Sequence, residues 1–336
     1  LDAVEKALRL APQSEHGKRL RGEILHTQGN IRFYTGQFSD AVNSYAEALS
    51  LFRQLGFKRL EATMLMNIGF VSQSMGDYEG ALKYYQDAYN IDLQIGDRFY
   101  TGAKLANIGQ AYAEMGQFDR AEKYLRKAIE LCKAVEDASG MGDALTTLGQ
   151  IRLWQGEADS ARRKLVEGLQ AARESENAYG EMRAQIYLGF ARLEAGEPPE
   201  VALEEGEQAT ALCRRSNMPQ GIVFGLMLQA RALRAQRQIP EALARSSEAM
   251  AVVATGTPIV GVEEALCTHA ELLHLLGRTA EARPFMQRAL DEVAKKAKRL
   301  KQEERLRSFL GSKVIQHIVA TYRQIIGPTD DLLPRL

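Results

Sequence analysis

Histidines and cysteines are the residues of this chain best suited to bind a metal, and one short stretch concentrates them. Cys267, His269 and His274 stand close together within one predicted helix. The spacing of five places the two histidines on different sides of a helix, because side chains three or four residues apart share a face. Position 269 also falls in register with the apolar residues Ile68 and Leu148. We therefore expect His269 to point into the core, and we predict no metal site.

Short motifs that position catalytic groups or phosphates are absent from the sequence. It has no GxxxxGK[ST] phosphate loop, no GxSxG nucleophile turn, no HExxH pair and no glycine-rich dinucleotide turn. The sequence therefore predicts a chain that is not an enzyme and that needs no cofactor.

Charge and cysteine usage exclude several classes of function. The 43 basic residues are balanced by 43 acidic ones, which argues against binding nucleic acid or a membrane surface. No apolar run reaches the length of about 18 residues that a spanning helix needs. Cys132, Cys213 and Cys267 form no CxxC pair and are expected as small core residues with reduced thiols. This usage predicts a cytoplasmic protein.

One basic run stands out near the C-terminus. Glu303 and Glu304 interrupt it, so we expect a solvated helix face, with binding to an acidic partner or to nucleic acid as the alternative. Its members are Lys295, Lys296, Lys298, Arg299, Lys301, Arg305 and Arg307.

A pattern of small residues recurs about every forty residues and organises the whole chain, with Met64–Tyr89 as its clearest example. The first mark is Gly29, Gly69, Gly109, Gly149, Gly189, Ala230 and Ala270 in seven successive units. A second small residue follows at Ala41, Ala81, Ala121, Ala161, Ala202, Ala242 and Ala282. Glycine inside a helix costs about 1 kcal/mol relative to alanine. We therefore predict pairs of helices that approach each other closely at these marks.

Glycines between the two marks predict the turn inside each helix pair, because a helix C-terminus often requires a positive φ. They are Gly36, Gly76, Gly116, Gly156, Gly196 and Gly277. Asp77 is expected to cap the helix that follows Gly76. Residues 197–260 are the least regular, with Arg237 in place of a turn glycine, and we expect any hinge near Thr255–Pro258.

The ends of the chain are predicted from the same pattern. Residues 1–14 correspond to the second helix of a truncated repeat, and residues 15–300 to seven repeats. Residues 301–327 are expected to form a C-terminal capping helix, with a possible break near Gly311, and 328–336 a flexible tail. Because the sequence begins at Leu1 inside a helical pattern, we expect it to be part of a larger protein.

The marks at positions 69, 76, 81 and 88, together with Tyr85 and Tyr112, resemble the tetratricopeptide repeat (TPR). Units of forty residues exceed the usual 34. They are similar to the longer repeats of Pins-type adaptors, Rap-type regulators and the sensor arms of maltose-regulator-type ATPases. The resemblance implies an all-α fold, a right-handed superhelical solenoid of antiparallel helix pairs. The Ala- and Arg-rich second half favours a bacterial origin.

In that family, one stripe of each first helix lines a concave groove that holds a peptide or protein segment. Amides suit an extended peptide backbone, since they both donate and accept, and apolar side chains offer anchor pockets. Carried over to this sequence, the candidate groove residues are His26, Asn30, Phe33, Met66, Asn67, Phe70, Asn107, Gln110, Gln150, Trp154, Phe190, Met227, Arg231 and Arg234. Ala106, Glu271 and His274 belong to the same stripe.

Three functions remain open at this stage. The resemblance favours a peptide-binding scaffold within a larger signalling or regulatory protein. A ligand-sensing arm that controls an attached kinase, ATPase or cyclase is the first alternative. An oligomerisation scaffold joined through the C-terminal helix is the second.

Overall fold

Helices account for all the regular structure of the computed structural model, which describes residues 14–328. No strand occurs within this range. The helices are α1 (Glu15–Tyr34), α2 (Phe38–Gln54), α3 (Lys58–Ser74), α4 (Tyr78–Ile95), α5 (Thr101–Glu114), α6 (Phe118–Ala134), α7 (Ala138–Trp154), α8 (Ala158–Glu174), α9 (Ala178–Glu194), α10 (Pro199–Arg215), α11 (Pro219–Ala235), α12 (Ile239–Ala254), α13 (Val262–Leu275), α14 (Thr279–Arg299), α15 (Glu303–Gly311) and α16 (Lys313–Ile325).

Helices α1 to α14 pack as seven consecutive pairs, and each pair also contacts the next, so that α1 and α2 form repeat 1 and α13 and α14 form repeat 7. This arrangement confirms the predicted all-α solenoid. The ends predicted as a truncated helix (1–14) and a flexible tail (328–336) lie almost entirely outside the described residues.

Close packing at the glycine marks is confirmed. A Cβ atom placed on Gly69 would lie 2.7 Å from the ring of Tyr85, and one on Gly109 would lie 2.7 Å from Leu125. Gly69 and Gly109 thus leave room for a large side chain from the second helix of the same repeat. The backbone carbonyl of Ala81 lies 3.3 Å from the same Cβ position on Gly69, so the helix backbone itself is close.

Repeat 5 fills this space differently. The position equivalent to Tyr85 is Gly206, and its first mark, Gly189, is instead approached by Leu228 from α11 of repeat 6. In repeats 1 to 4 a large side chain from the second helix of the same repeat packs against the glycine. In repeat 5 this side chain comes from the following repeat. This exchange explains how the irregular unit keeps a filled core.

The turns inside the repeats follow the sequence prediction. Gly76 and Gly116 have φ values of 76° and 70°, and Arg237, where a glycine is missing, also adopts a positive φ of 63°. Asp77 caps α4, as predicted, by accepting a hydrogen bond from the Gly80 amide at 3.1 Å.

The C-terminal segment, predicted as a capping helix over 301–327 with a possible break near Gly311, forms two helices, α15 and α16, with the break next to Gly311. The backbone is extended at Leu300 and again at Ser312, which joins the two helices. These two bends allow Phe309 on α15 and Ile318 on α16 to be buried against different parts of the solenoid.

Residues 258–313 run along the turns of the first four repeats, a set of contacts that we call the closing edge. Opposite the turn glycines Gly36, Gly76, Gly116 and Gly156 lie, in order, Pro258, Lys296, Ser308 and Lys313. The Lys313 ammonium donates to the Gln155 carbonyl at 2.7 Å. The last third of the chain therefore closes onto the first half.

The basic run is only partly the solvated face expected from the sequence. Lys295 and Arg307 are exposed, but Lys296 pairs with Glu263 at 2.5 Å and Arg305 lies 3.2 Å from Glu79. These two basic side chains are withdrawn from solvent because the C-terminal segment packs against earlier parts of the chain. Within residues 14–328, no helix has the length and apolar character needed to cross a bilayer.

Candidate partner-binding groove

The first helix of each repeat lines the concave side of the solenoid. From α5 onward, neighbouring first helices contact each other directly: α5 with α7, α7 with α9, α9 with α11 and α11 with α13. Within residues 14–328, neighbouring second helices make no comparable contact. A stack that is tighter along one row of helices curves towards that row, so the first helices form the inner surface.

The inner surface is more open in repeats 1 to 3, since α1 and α3, and likewise α3 and α5, do not make with each other the close helix contacts found from α5 onward. Side chains bridge α1 and α3 instead. The Asn67 amide lies 3.0 Å from Nε2 of His26, and the Tyr45 hydroxyl donates to Asn30 at 2.7 Å. Burial lowers the pKa of His26, which favours the neutral imidazole that can accept a hydrogen bond.

Half-buried apolar side chains lie beside this polar bridge. Phe33 and Phe70 pack with ring centroids 5.2 Å apart, and Met66 fills the space between two parts of the core. On α5, Asn107 and Gln110 are half-buried and make no hydrogen bond to another described residue beyond their helical backbone bonds. The inner surface of repeats 1 to 3 therefore combines apolar side chains with side-chain amides that have no hydrogen-bond partner among the described residues.

In repeats 4 to 7 the prediction of an exposed groove is wrong for three residues. Gln150, Phe190 and Met227 are buried between the closely spaced first helices, and Gln150 donates to the Tyr187 hydroxyl at 2.7 Å. Ala106, on α5, is also buried.

The two candidate arginines are already engaged. The Arg231 guanidinium lies 5.0 Å from the centre of the Phe190 ring. Arg234 forms an ion pair with Glu271 at 2.7 Å. Both side chains therefore stabilise contacts between neighbouring repeats.

Trp154 lies at the edge of a cleft and not in the open groove. Its ring packs against Phe118 at 6.3 Å, and Phe309, Val314 and Ile315 from the C-terminal helices face it across the cleft. The sequence could not place these residues together, because more than 150 positions separate Trp154 from its C-terminal neighbours.

Cys267, His269 and His274, the residues weighed as metal ligands in the sequence, have separate surroundings in the structure. His269 is buried, as expected, and hydrogen-bonds Ser246 at 2.8 Å. His274 instead lies 2.9 Å from the Thr279 hydroxyl. All three cysteines are buried and unpaired, and burial raises the pKa of the Cys132 thiol to about 12.

A different trio, Cys267, Glu271 and His317, brings its ligating atoms within 4.8 Å of one another. The carboxylate of Glu271 is already occupied by Arg234, by His317 at 2.6 Å and by the Thr321 hydroxyl at 3.1 Å. This trio therefore anchors α16 to repeat 7. No sequence pattern predicts this trio, since His317 lies far from its partners along the chain.

Comparison with known protein families identifies the family to which these repeats belong. The model of the MalT-like TPR region matches residues 2–186, which is more than half of the chain. The chain belongs to the MalT-like TPR family. No curated protein matches the sequence.

Solved structures share the fold of this MalT-like TPR chain at low sequence identity. A Rap protein complexed with competence and sporulation factor is 15% identical with a TM-score of 0.61, over 96% of this chain and 91% of that protein. The quorum sensor NprR from B. thuringiensis is 14% identical with a TM-score of 0.60, over 87% and 80%. A STAND protein from Pyrococcus horikoshii with a TPR sensor is 13% identical with a TM-score of 0.58, over 98% and 53%.

Proposed function

We propose that this chain is a regulatory scaffold that binds a peptide or protein segment on the inner surface of repeats 1 to 3. The observation that carries the proposal is the pair of half-buried amides on α5, Asn107 and Gln110, which have no hydrogen-bond partner among the other described residues. An amide side chain both donates and accepts, so this pair can satisfy the backbone of an extended peptide.

The apolar side chains beside these amides supply the other half of a peptide site. Met66 and Phe70 on α3 are half-buried and offer contact area next to the polar bridge between His26 and Asn67. Peptide sites commonly combine such anchors with backbone hydrogen bonds. Repeats 4 to 7 lack the same room, because their candidate residues pack against neighbouring helices.

A small molecule as the main ligand is less well supported. Two clefts among the described residues have volumes of about 120 and 40 Å³. Sites for drug-sized ligands usually range from about 300 to 1,000 Å³. A peptide lying along the inner surface needs no such enclosed cavity.

Two structural neighbours add support to a peptide ligand. One is the Rap protein complexed with competence and sporulation factor, and another is a Rap conjugation regulator of plasmid pLS20 in complex with the Phr* peptide. By analogy with them, we propose a place for this chain in a larger cytoplasmic signalling protein of bacterial origin.

Selection of ligands from a phage-displayed library of random dodecapeptides tests the proposal. The dissociation constants of synthetic versions of the enriched peptides are then compared between the wild type and two variants, Asn107→Ala with Gln110→Ala, and Phe70→Ala. We expect each variant to weaken binding by about tenfold or more, which corresponds to the loss of one or two good contacts.

The matched control removes two equivalent amides from the outer surface. Gln86 and Asn90 are exposed on the second helix of repeat 2, and the double substitution Gln86→Ala with Asn90→Ala should leave binding unchanged. Failure to select any peptide, or equal affinity in all variants, would contradict the groove.

The closing edge favours a second candidate, a sensing arm whose curvature changes when a ligand binds. Its contacts join the last third of the chain to the turns of repeats 1 to 4, so opening them would alter the overall shape. Small-angle scattering with and without a selected peptide measures this change. An unchanged radius of gyration in the saturated complex would exclude it.

The alternative function, an oligomerisation scaffold joined through the C-terminal helix, has less support. The apolar face of α16 is buried within the chain, through Ile315, Ile318, Val319, Tyr322 and Ile325.

A further inference from the structure

The inner face of α5 leads directly from the proposed groove into the cleft beside Trp154. Asn107, Gln110 and Glu114 are spaced at i, i+3 and i+7, which places them on one face of the helix. Glu114 lines the cleft. A peptide that lies along Asn107 and Gln110 therefore has the cleft within reach of its next side chain.

Carboxylates and aromatic rings make up most of the cleft wall. The carboxylates are Glu114 from α5 and Glu263 and Glu264 from α13, and the rings are Tyr78, Phe118, Trp154 and Phe309. An ammonium or guanidinium group is stabilised both by carboxylates and by the faces of aromatic rings. The chemistry of the wall thus favours an organic cation.

The carboxylates of the cleft keep acceptor atoms without a hydrogen-bond donor among the described residues, although the charges of Lys296, Arg183 and Arg231 lie near them. Lys296 pairs with one oxygen of Glu263, but Glu263 is only 5% exposed and its other oxygen, Oε2, has no hydrogen-bond partner. Glu114 and Glu264 form no hydrogen bond through their side chains and no ion pair with any described residue. A buried polar atom without a partner is unfavourable, so a ligand that supplies donors would be stabilised there.

The pKa shifts of the cleft carboxyl groups also favour a cationic ligand. Burial, reinforced by the charges of Glu263 and Glu114, raises the pKa of Glu264 to about 7, although the Arg231 charge acts in the opposite direction. Burial also raises the pKa of Glu114, against the effects of Lys296 and Arg183. A nearby cation favours the ionised form of a carboxylate. The entry of a cation would therefore stabilise the ionised forms of Glu264 and Glu114.

A single metal ion fits this wall poorly. The ligating atoms of the three glutamates do not converge as those of Cys267, Glu271 and His317 do, which form the one such group among residues 14–328. The volume of about 40 Å³ is enough for a few water-sized groups and therefore for a charged head group.

We propose that this cleft binds the cationic head of a lysine or arginine side chain belonging to the peptide in the groove. The inference rests on the proposed function and specifies the chemistry of the ligand. The aliphatic part of that side chain would lie against Trp154 and Phe118, and its head group would meet Glu114 and Glu264.

Trp154 is the one tryptophan of the chain, so its emission reports directly on the cleft. The probes are three nonapeptide pools, Ac-XXXXZXXXX-NH₂, in which Z is fixed as arginine, lysine or glutamine and X is mixed. Affinity is measured by fluorescence polarisation of labelled pools, and Trp154 emission is followed with unlabelled ones. We expect the arginine and lysine pools to bind about tenfold more tightly than the glutamine pool, and only they should shift Trp154 emission.

Isosteric variants locate the effect. Glu264→Gln and Glu114→Gln should each remove most of the preference for a basic residue without altering the binding of the glutamine pool. Glu207→Gln, at an exposed position on α10, changes the net charge equally and should keep the preference.

The outcomes separate this inference from the proposed function. Equal binding of all three pools would overturn the cation site and leave the groove intact, provided that Phe70→Ala still weakens binding. A preference that persists in Glu264→Gln and Glu114→Gln would also overturn the site. Absence of binding by any pool would contradict both proposals.

Discussion

Gly69 shows how one residue sets the spacing of a helix pair. Its backbone lies against the ring of Tyr85, which is fully buried and donates a hydrogen bond to Gln73 at 2.9 Å. The ring cannot move freely, because its hydroxyl is fixed by that bond and its face by packing. A glycine in the middle of α3 is therefore stabilising in this context, although it is unfavourable for an isolated helix.

Gly69→Ala should destabilise the protein by about 1–3 kcal/mol, the usual range for overpacking a core. The added methyl group would lie 2.7 Å from the Tyr85 ring and 3.3 Å from the Ala81 carbonyl, and the gain in helix propensity is smaller than the resulting strain. Thermal or urea denaturation followed by circular dichroism measures the change. The control is Gly311→Ala on α15, where no atom lies within 4 Å and a neutral or slightly stabilising result is expected. Equal stability of Gly69→Ala and the wild type would contradict the spacing role.

The anchor of α16 on repeat 7 is an element-scale feature with a dependence on pH. The hydrogen bond and the charge of Glu271 raise the pKa of His317, against burial and the charges of Arg231 and Arg234. Burial alone would raise the pKa of Glu271, but the hydrogen bond and charge of His317, together with Arg234 and Thr321, lower it to about 2. His317 faces these groups from α16, while Arg231 and Arg234 belong to α11 and Glu271 to α13.

His317→Gln should therefore lower the thermal midpoint more at pH 5.5 than at pH 9. A histidine whose pKa is raised on folding contributes stability that is complete below its unfolded pKa of about 6.5 and is lost as the pH rises through the folded value. The contribution is at most about 1 kcal/mol, because the His317 side chain is 57% exposed. His16→Gln, at an exposed position on α1, serves as the control. A midpoint difference that is the same at both pH values would argue against the ion pair.

The sequence predicted the elements whose signals are local and missed those that depend on the curvature of the solenoid. Glycine and alanine marks, turn glycines and the cap at Asp77 all lie within a few turns of the residues they act on. The exposure of a groove residue depends instead on the distance to the first helix of the neighbouring repeat. Asn67 and Phe70 lie where this distance is large, and Gln150 and Met227 lie where it is small. That distance changes after α5 without a change in the repeat pattern.

At the scale of the whole molecule, the closing edge joins residues that no repeat period relates. Glu79 and Arg305 are 18% and 14% exposed and stand 3.2 Å apart, although they come from repeat 2 and from α15. Arg120 and Glu304 form a more exposed pair nearby at 3.4 Å. Pairs withdrawn from water interact more strongly than exposed ones, so the first pair should contribute more to closure.

Charge reversal tests this assignment. Arg305→Glu places two carboxylates face to face at the closing edge and should weaken closure by on the order of 2 kcal/mol, between the values typical of exposed and buried pairs. Because Phe309 and Ile315 cover Trp154 from the same segment, we expect a red shift of Trp154 emission and a larger radius of gyration. The double variant Glu79→Arg with Arg305→Glu restores opposite charges and should return both values towards those of the wild type. Arg120→Glu is the exposed control and should change little. If Arg305→Glu leaves emission and radius unchanged, or if the double variant fails to rescue them, then this ion pair does not hold the last third of the chain against the first half.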